Sequence, residues 1–154
     1  MKKLFAGLTL AAMVMGGAGL AQDKPPFAME IKARQGIMAY RALNLGRLGA
    51  MAKGEAEYNA EAAQAAADAL AASAQLDESL LWPEGSDHSA NPATTADAKL
   101  WDIETDYDGK HTEFVNAALA MQQAAGQGLD QLKAAMGPLG ASCGSCHKAT
   151  RIPN

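Results

Sequence analysis

Toward its C-terminus the chain reads Cys143-Gly144-Ser145-Cys146-His147, and these are its only two cysteines. Two thiols followed directly by an imidazole can support several chemistries. A disulfide between them would close a very small loop and stabilise little. A zinc site needs two further ligands, and the chain offers only His88 and His111, with no second cysteine pair. A thioredoxin-like redox pair requires a βαβ setting, and the patterning described below contains no strands. What remains is the haem c attachment signature Cys-x-x-Cys-His. Two thiols about one helical turn apart can each add to one vinyl group of a porphyrin. The next residue then presents its imidazole to the iron. Cys143 and His147 are four residues apart and share a helix face. The spacing therefore predicts one covalent haem c, attached through Cys143 and Cys146, with His147 as an iron ligand.

Such a group must be held by a helix, and the surrounding sequence is patterned as one. Leu129, Leu132, Met136, Leu139, Cys143 and Cys146 follow one another at three- and four-residue steps, so the cysteines continue an apolar face. Gly137-Pro138 is expected to bend this helix or start a new turn. Three further helices precede it. The first runs from about Pro26 to Met51 on a stripe of Phe27, Ile31, Met38, Leu45 and Leu48, and stops at Lys53-Gly54-Glu55. Arg34 and Arg41 interrupt that stripe. A charge on a buried stripe needs a partner. A haem propionate would suit Arg34, whereas Arg41 is expected to pack its stem and send its head to water. The second helix opens at Asn59 as N-cap, with Glu61 in its first turn, and continues to about Leu80.

Residues 83–97 hold two prolines, a glycine and several Ser/Thr/Asn/Asp, and read as a long loop containing a solvated His88. The third helix is expected from about Asp97 to Ala125. Its stripe is Leu100, Ile103, Tyr107, Phe114 and Met121, with a weak point or kink at Asp108-Gly109. His111 falls on that stripe. A hydrogen-bonded core histidine is preferred there over a second iron ligand. Trp82 and Trp101 read as packing at the bundle end. Aromatic residues make up only 5% of the chain and alanine is abundant, which favours helix over strand. Short connections at two of the three turns then predict an all-α, antiparallel four-helix bundle.

The N-terminus stands apart from that domain. Lys2 and Lys3 precede an uncharged apolar run from Leu4 to Leu20, and Gly19-Leu20-Ala21 supplies small residues for a cut after Ala21. Residues 1–21 are therefore expected to be a cleaved secretory signal peptide and residues 22–154 one domain. A membrane anchor is the alternative, but the run contains four glycines and is short for a span. Export predicts a periplasmic protein with no membrane attachment after cleavage. The net charge of −4, and the loss of two lysines with the signal, argue against nucleic acid as a partner.

At this point the chain resembles the class II cytochromes c, and in particular the cytochrome c prime family. The resemblance covers nearly all of residues 22–154. It rests on the C-terminal Cys143-Gly-Ser-Cys146-His147, on Arg151, on Arg34-Gln35-x-x-Met38, on Gly49-Ala-Met-Ala-Lys-Gly-Glu55 and on Trp101. It implies a four-helix bundle, often a homodimer, with His147 as the proximal iron ligand. It puts Arg34, Gln35 and Met38 against the haem, with Met38 on the distal side. It further implies a polar haem contact from the loop, matched to Thr95, and a basic residue beside the proximal histidine, Arg151.

Met38 admits three readings: a core methionine, a thioether ligand giving six-coordinate low-spin iron, or an unbonded cover over five-coordinate iron, which is preferred. The expected function is electron transfer, binding of nitric oxide or carbon monoxide, or both, with periplasmic redox proteins as partners. If Met38 bonds the iron, the role narrows to electron shuttling. A haem enzyme reducing peroxide or nitrogen oxides is the alternative of another class. Such chemistry wants a distal histidine and a polar partner, and Ile37 and Met38 are expected there instead, so the protein is read as a carrier and not an enzyme.

Overall fold

The computed structural model describes residues 25–153; the expected signal peptide lies outside the described residues. Among the described residues, four α-helices and two short 3-10 turns make up the regular structure. Helix α1 spans Ala28–Lys53, α2 Ala60–Ala74, α3 Tyr107–Ala124 and α4 Leu129–Thr150, with 3-10 turns at Ala98–Trp101 and Ile103–Thr105. Successive helices pack side by side and α4 returns to α1, closing an antiparallel bundle. Of the neighbouring helix pairs, α1 and α4 are the least closely packed.

Local chemistry explains most of the boundaries. Gly54 ends α1 at φ 77°, a left-handed conformation that costs glycine little. There the Glu55 N–H donates to the Ala50 carbonyl (2.9 Å) and the Gly54 N–H to that of Met51 (3.1 Å), which satisfies two otherwise free carbonyls. Asn59 starts α2 as expected, its side chain accepting from the Ala62 N–H at 2.8 Å. The buried face of α2 is Ala63, Ala66, Ala67, Leu70, Ala71 and Ala74, small enough to let α1 and α3 approach closely. The core of the bundle is completed by Leu48, Phe114, Met121, Leu132 and Leu139.

Two expected boundaries are corrected. Helix α2 ends at Ala74, not near Leu80. The Asp77 carboxylate accepts from the Ser79 N–H at 3.0 Å, a side-chain turn that competes with helical bonding. The third helix begins at Tyr107, not Asp97, because Asp106 adopts φ 51° and breaks the run. Asp108-Gly109 is no mid-helix kink. The Asp106 carboxylate caps α3 by accepting from Gly109 N–H at 3.2 Å. A Cβ on Gly109 would lie 2.7 Å from the Asp106 Cγ, so the cap itself excludes a side chain there. Ile103, expected on the buried stripe, is 88% exposed as a result of that break. Helix α4 is continuous through Pro138.

Candidate functional site

A cavity of about 650 Å³ opens between α1, α3, α4 and the long loop. Helix α4 gives it Leu139, Ser142, Cys143, Cys146, His147 and Thr150. Both thiols are free. Burial pushes both thiols up in pKa and keeps them protonated at neutral pH. His147 is moved the other way, first by partial burial and then by the Arg151 charge. It is therefore held as the neutral imidazole, the form that ligates metals. Chemically the set offers two sulfur nucleophiles and one nitrogen ligand from a single helix face. Among the described residues, no three His, Cys, Asp or Glu side chains cluster as a metal site in their own right.

Helix α1 forms the facing wall with Arg34, Gln35, Met38, Arg41 and Leu45. Arg34 is buried, and its guanidinium is engaged by the loop. Nη1 donates to the Ser86 Oγ (2.7 Å) and the Leu81 carbonyl (3.3 Å), and Nη2 to the Ser86 carbonyl and the Thr94 Oγ1 (3.1 Å). The guanidinium also lies over the Trp82 ring at 4.4 Å. Gln35 is exposed and donates to the Ala93 carbonyl at 2.7 Å. Met38 is half-buried. Arg41 does not send its head to water as expected; it is 7% exposed. It donates to the Ser73 hydroxyl and carbonyl and pairs with Glu78 at 2.5 Å. Glu78 also accepts from Trp82 Nε1 at 3.1 Å, so Trp82 belongs to the cavity wall and not merely to the bundle end.

The loop reaches the cavity through Thr94, Thr95 and Ala96. Thr95 is the residue singled out from the sequence. Its hydroxyl accepts from Arg151 Nε at 3.0 Å, and its carbonyl accepts from the Ile152 N–H at 3.0 Å. A bridge between Ala96 and Arg151, and an Asp97 N–H bond to the Thr150 carbonyl at 2.8 Å, fasten this segment to the end of α4. Arg151 thus both neighbours His147 and locks the loop.

A scan against family descriptions matches residues 29–151 to Cytochrome C'. The chain belongs to the cytochrome c' family. It is 39% identical to cytochrome c-554 of Cereibacter sphaeroides over 144 residues, 94% of each chain. The solved cytochrome c' from Rhodobacter spheriodes superposes with a TM-score of 0.80 at 36% identity, covering 83% of this chain and 98% of that one. A solved cytochrome c' with ligand-controlled dimer dissociation superposes at 0.74 and 30% identity, covering 81% and 95%. Members of the cytochrome c' family are c-type cytochromes with covalent haem, periplasmic, serving electron transfer or gas binding without catalysing a reaction.

Every residue expected at the site, namely Arg34, Gln35, Met38, Thr95, Cys143, Cys146, His147 and Arg151, lines this one cavity. Ile37 does not. It faces a shallow groove between α1 and α2 with Ala33, Gly36, Tyr40 and Leu76. His111 lines the cavity, and its buried Nε2 has no hydrogen-bond partner, contrary to the expected bonded core histidine. Sequence reading missed Thr94, Glu78 and Lys110 as wall residues. Lys110 had a legible signal, since it follows Tyr107 by one helical step and precedes Phe114 by another.

Proposed function

We propose that the cavity would hold the covalent haem of this cytochrome through Cys143 and Cys146, with His147 as a nitrogen ligand to its iron. One observation carries the reading: two free, half-buried thiols and a neutral imidazole on one helix face a cavity whose surface as a whole is largely apolar. The haem supplies one-electron exchange at iron and an affinity for small diatomic ligands. The residues of this chain do the rest. His147 donates its electron pair, Arg151 and Thr95 close the loop over that side, and α1 faces it with Met38, Ala42 and Leu45. Met38 stays unbonded and leaves room for a small neutral ligand. On α1 its apolar neighbours in the wall are Ala39, Ala42 and Leu45, and the donors of Arg34 and Arg41 on the same helix are already engaged, so that face favours a neutral diatomic such as nitric oxide or carbon monoxide over an anion. A solved variant of the Alcaligenes xylosoxidans cytochrome c prime, 28% identical to this chain, is a nitrosyl complex.

The finer assignments rest on the same reading. The chain is exported, cut after Ala21, and exchanges electrons with periplasmic redox proteins. It pairs with a second copy through the α1–α2 groove, where Tyr40 and Leu76 are each 49% exposed beside an exposed Leu43. The test is the double substitution C143A/C146A. The wild-type band should carry haem on a denaturing gel and the variant band should carry none. Haem retained on the variant band overturns the attachment.

A further inference from the structure

Outside the cavity, a groove of about 350 Å³ follows the two 3-10 turns and the start of α3. Its apolar surface comes from Trp82, Leu100, Trp101, Ile103 and Tyr107, and Ile103 is 88% exposed. Trp82 and Tyr107 line both this groove and the cavity that contains the thiols, so the two hollows share an aromatic wall whose ring centroids are 5.7 Å apart. Trp101 Nε1 donates to the Trp82 carbonyl at 3.1 Å and holds the first turn against that wall. Carboxylates rim the groove. Asp102, Asp106 and Asp108 line it, and Glu104 is exposed next to Ile103. Two of them serve the helix: Asp106 caps α3 and Asp108 lies in its first turn. Asp102 makes no capping bond, and it and Glu104 flank the exposed isoleucine. The ion pairs among the described residues are Arg41–Glu78 and Lys53–Glu55, so neither carboxylate is neutralised. No Lys or Arg lines the groove; Lys110 lines the cavity instead. An exposed isoleucine alone would mean little. Here it forms an apolar centre within a rim of one charge sign, as a transient protein contact requires.

We propose that this groove is the face on which a one-electron partner docks, and that the partner is a redox protein with a lysine-rich contact surface. This rests on the cavity being the haem site. The carboxylates steer the partner in, Ile103 seats it, and the shared wall of Trp82 and Tyr107 brings it against the cavity. Redox encounters of this kind need only a small contact area, which suits a groove of this size. The exchange moves one electron between two metal centres: one is oxidised as the other is reduced, and no bond is made or broken.

The test mixes reduced holoprotein with ferric mitochondrial cytochrome c, a lysine-rich haem protein, and follows electron transfer by stopped-flow absorbance. D102N/E104Q is compared with E57Q/E61Q, which removes the same charge at the other end of α3, where Tyr58 donates to the Ala125 carbonyl. The wild-type second-order rate should fall as salt is added. D102N/E104Q should lose about tenfold at low salt and depend less on salt, while E57Q/E61Q should stay within about twofold of wild type. I103S should be slower at high salt as well as low. Carbodiimide coupling of the mixed proteins, mapped by mass spectrometry, should join partner lysines to Asp102, Glu104 or Asp108. The proposal is overturned if the two double variants slow equally, since net charge alone would do that, or if D102N/E104Q matches wild type. It is also overturned if I103S leaves the high-salt rate unchanged, or if the cross-links fall only on carboxylates away from the groove. Soret absorbance is measured for every sample, so absence of haem in wild type would strike the parent reading, whereas a haem-bearing wild type with an indifferent D102N/E104Q would strike this one alone.

Discussion

The Arg41–Glu78 pair is the sharpest place to test the energetics of the cavity wall. Their side chains are 8% and 6% exposed and meet at 2.5 Å, so neither charge is well screened by water. Arg41 also donates to Ser73 and lies over the Phe114 ring at 4.8 Å, while Glu78 accepts from Trp82. Replacing Glu78 by Leu leaves a guanidinium buried with only a hydroxyl, a carbonyl and a ring for company. Breaking a buried pair from one side costs about 3–5 kcal/mol. In a domain of this size, roughly 4 °C per kcal/mol converts that to a fall of about 12–20 °C in Tm. The companion R41M/E78L removes both charges and keeps apolar volume, and should come within about 1 kcal/mol of wild type. The assay is thermal and urea unfolding of the holoproteins, followed by far-ultraviolet circular dichroism, for wild type, R41M, E78L and the double variant. The two single costs should greatly exceed the double cost, which measures the coupling directly. The reasoning fails if E78L costs less than about 1 kcal/mol, or if the double variant simply adds the two singles.

Three more outcomes are expected. Replacing Met38 by Ala should leave the spin state of the oxidised protein unchanged in resonance Raman spectra; a low-spin to high-spin conversion would make Met38 an iron ligand and reduce the role to electron shuttling. Burial pushes the Tyr107 phenol well above its ordinary pKa. The folded state then holds a proton that the unfolded state releases, so stability should fall as pH rises above about 10. Tyr107→Phe should move alkaline unfolding to higher pH and remove one late component from the near-ultraviolet phenolate titration, and an unmoved transition would refute the assignment. Asn59→Ala should cost about 1 kcal/mol in urea unfolding through loss of the α2 cap, whereas a neutral result would mean that the 2.8 Å bond to Ala62 contributes nothing.

How far a sequence reveals this site depends on the separation over which each interaction acts. The thiols, the imidazole and the α4 stripe lie within a few turns of one helix, so their spacing alone places them on one face. Gly54 and Asn59 act on their nearest neighbours and were equally legible. The end of α2 and the start of α3 were misplaced because single carboxylates, Asp77 and Asp106, redirect the backbone against a helical pattern. The arginines were harder still. Arg34 finds its partners 47 to 60 residues away in the loop, and Arg41 finds Glu78 37 residues away. Nothing local marks those pairings. Residue type therefore identifies which side chains can bond but not which have already done so. The charged Arg34 was the side chain expected to need the cofactor, and His111 the one expected to be satisfied by the core. In the folded chain the loop absorbs the Arg34 donors and the histidine is left without a partner. Which side chains stay free to meet a bound group is thus decided by pairings that form only once the bundle has closed, and not by residue type.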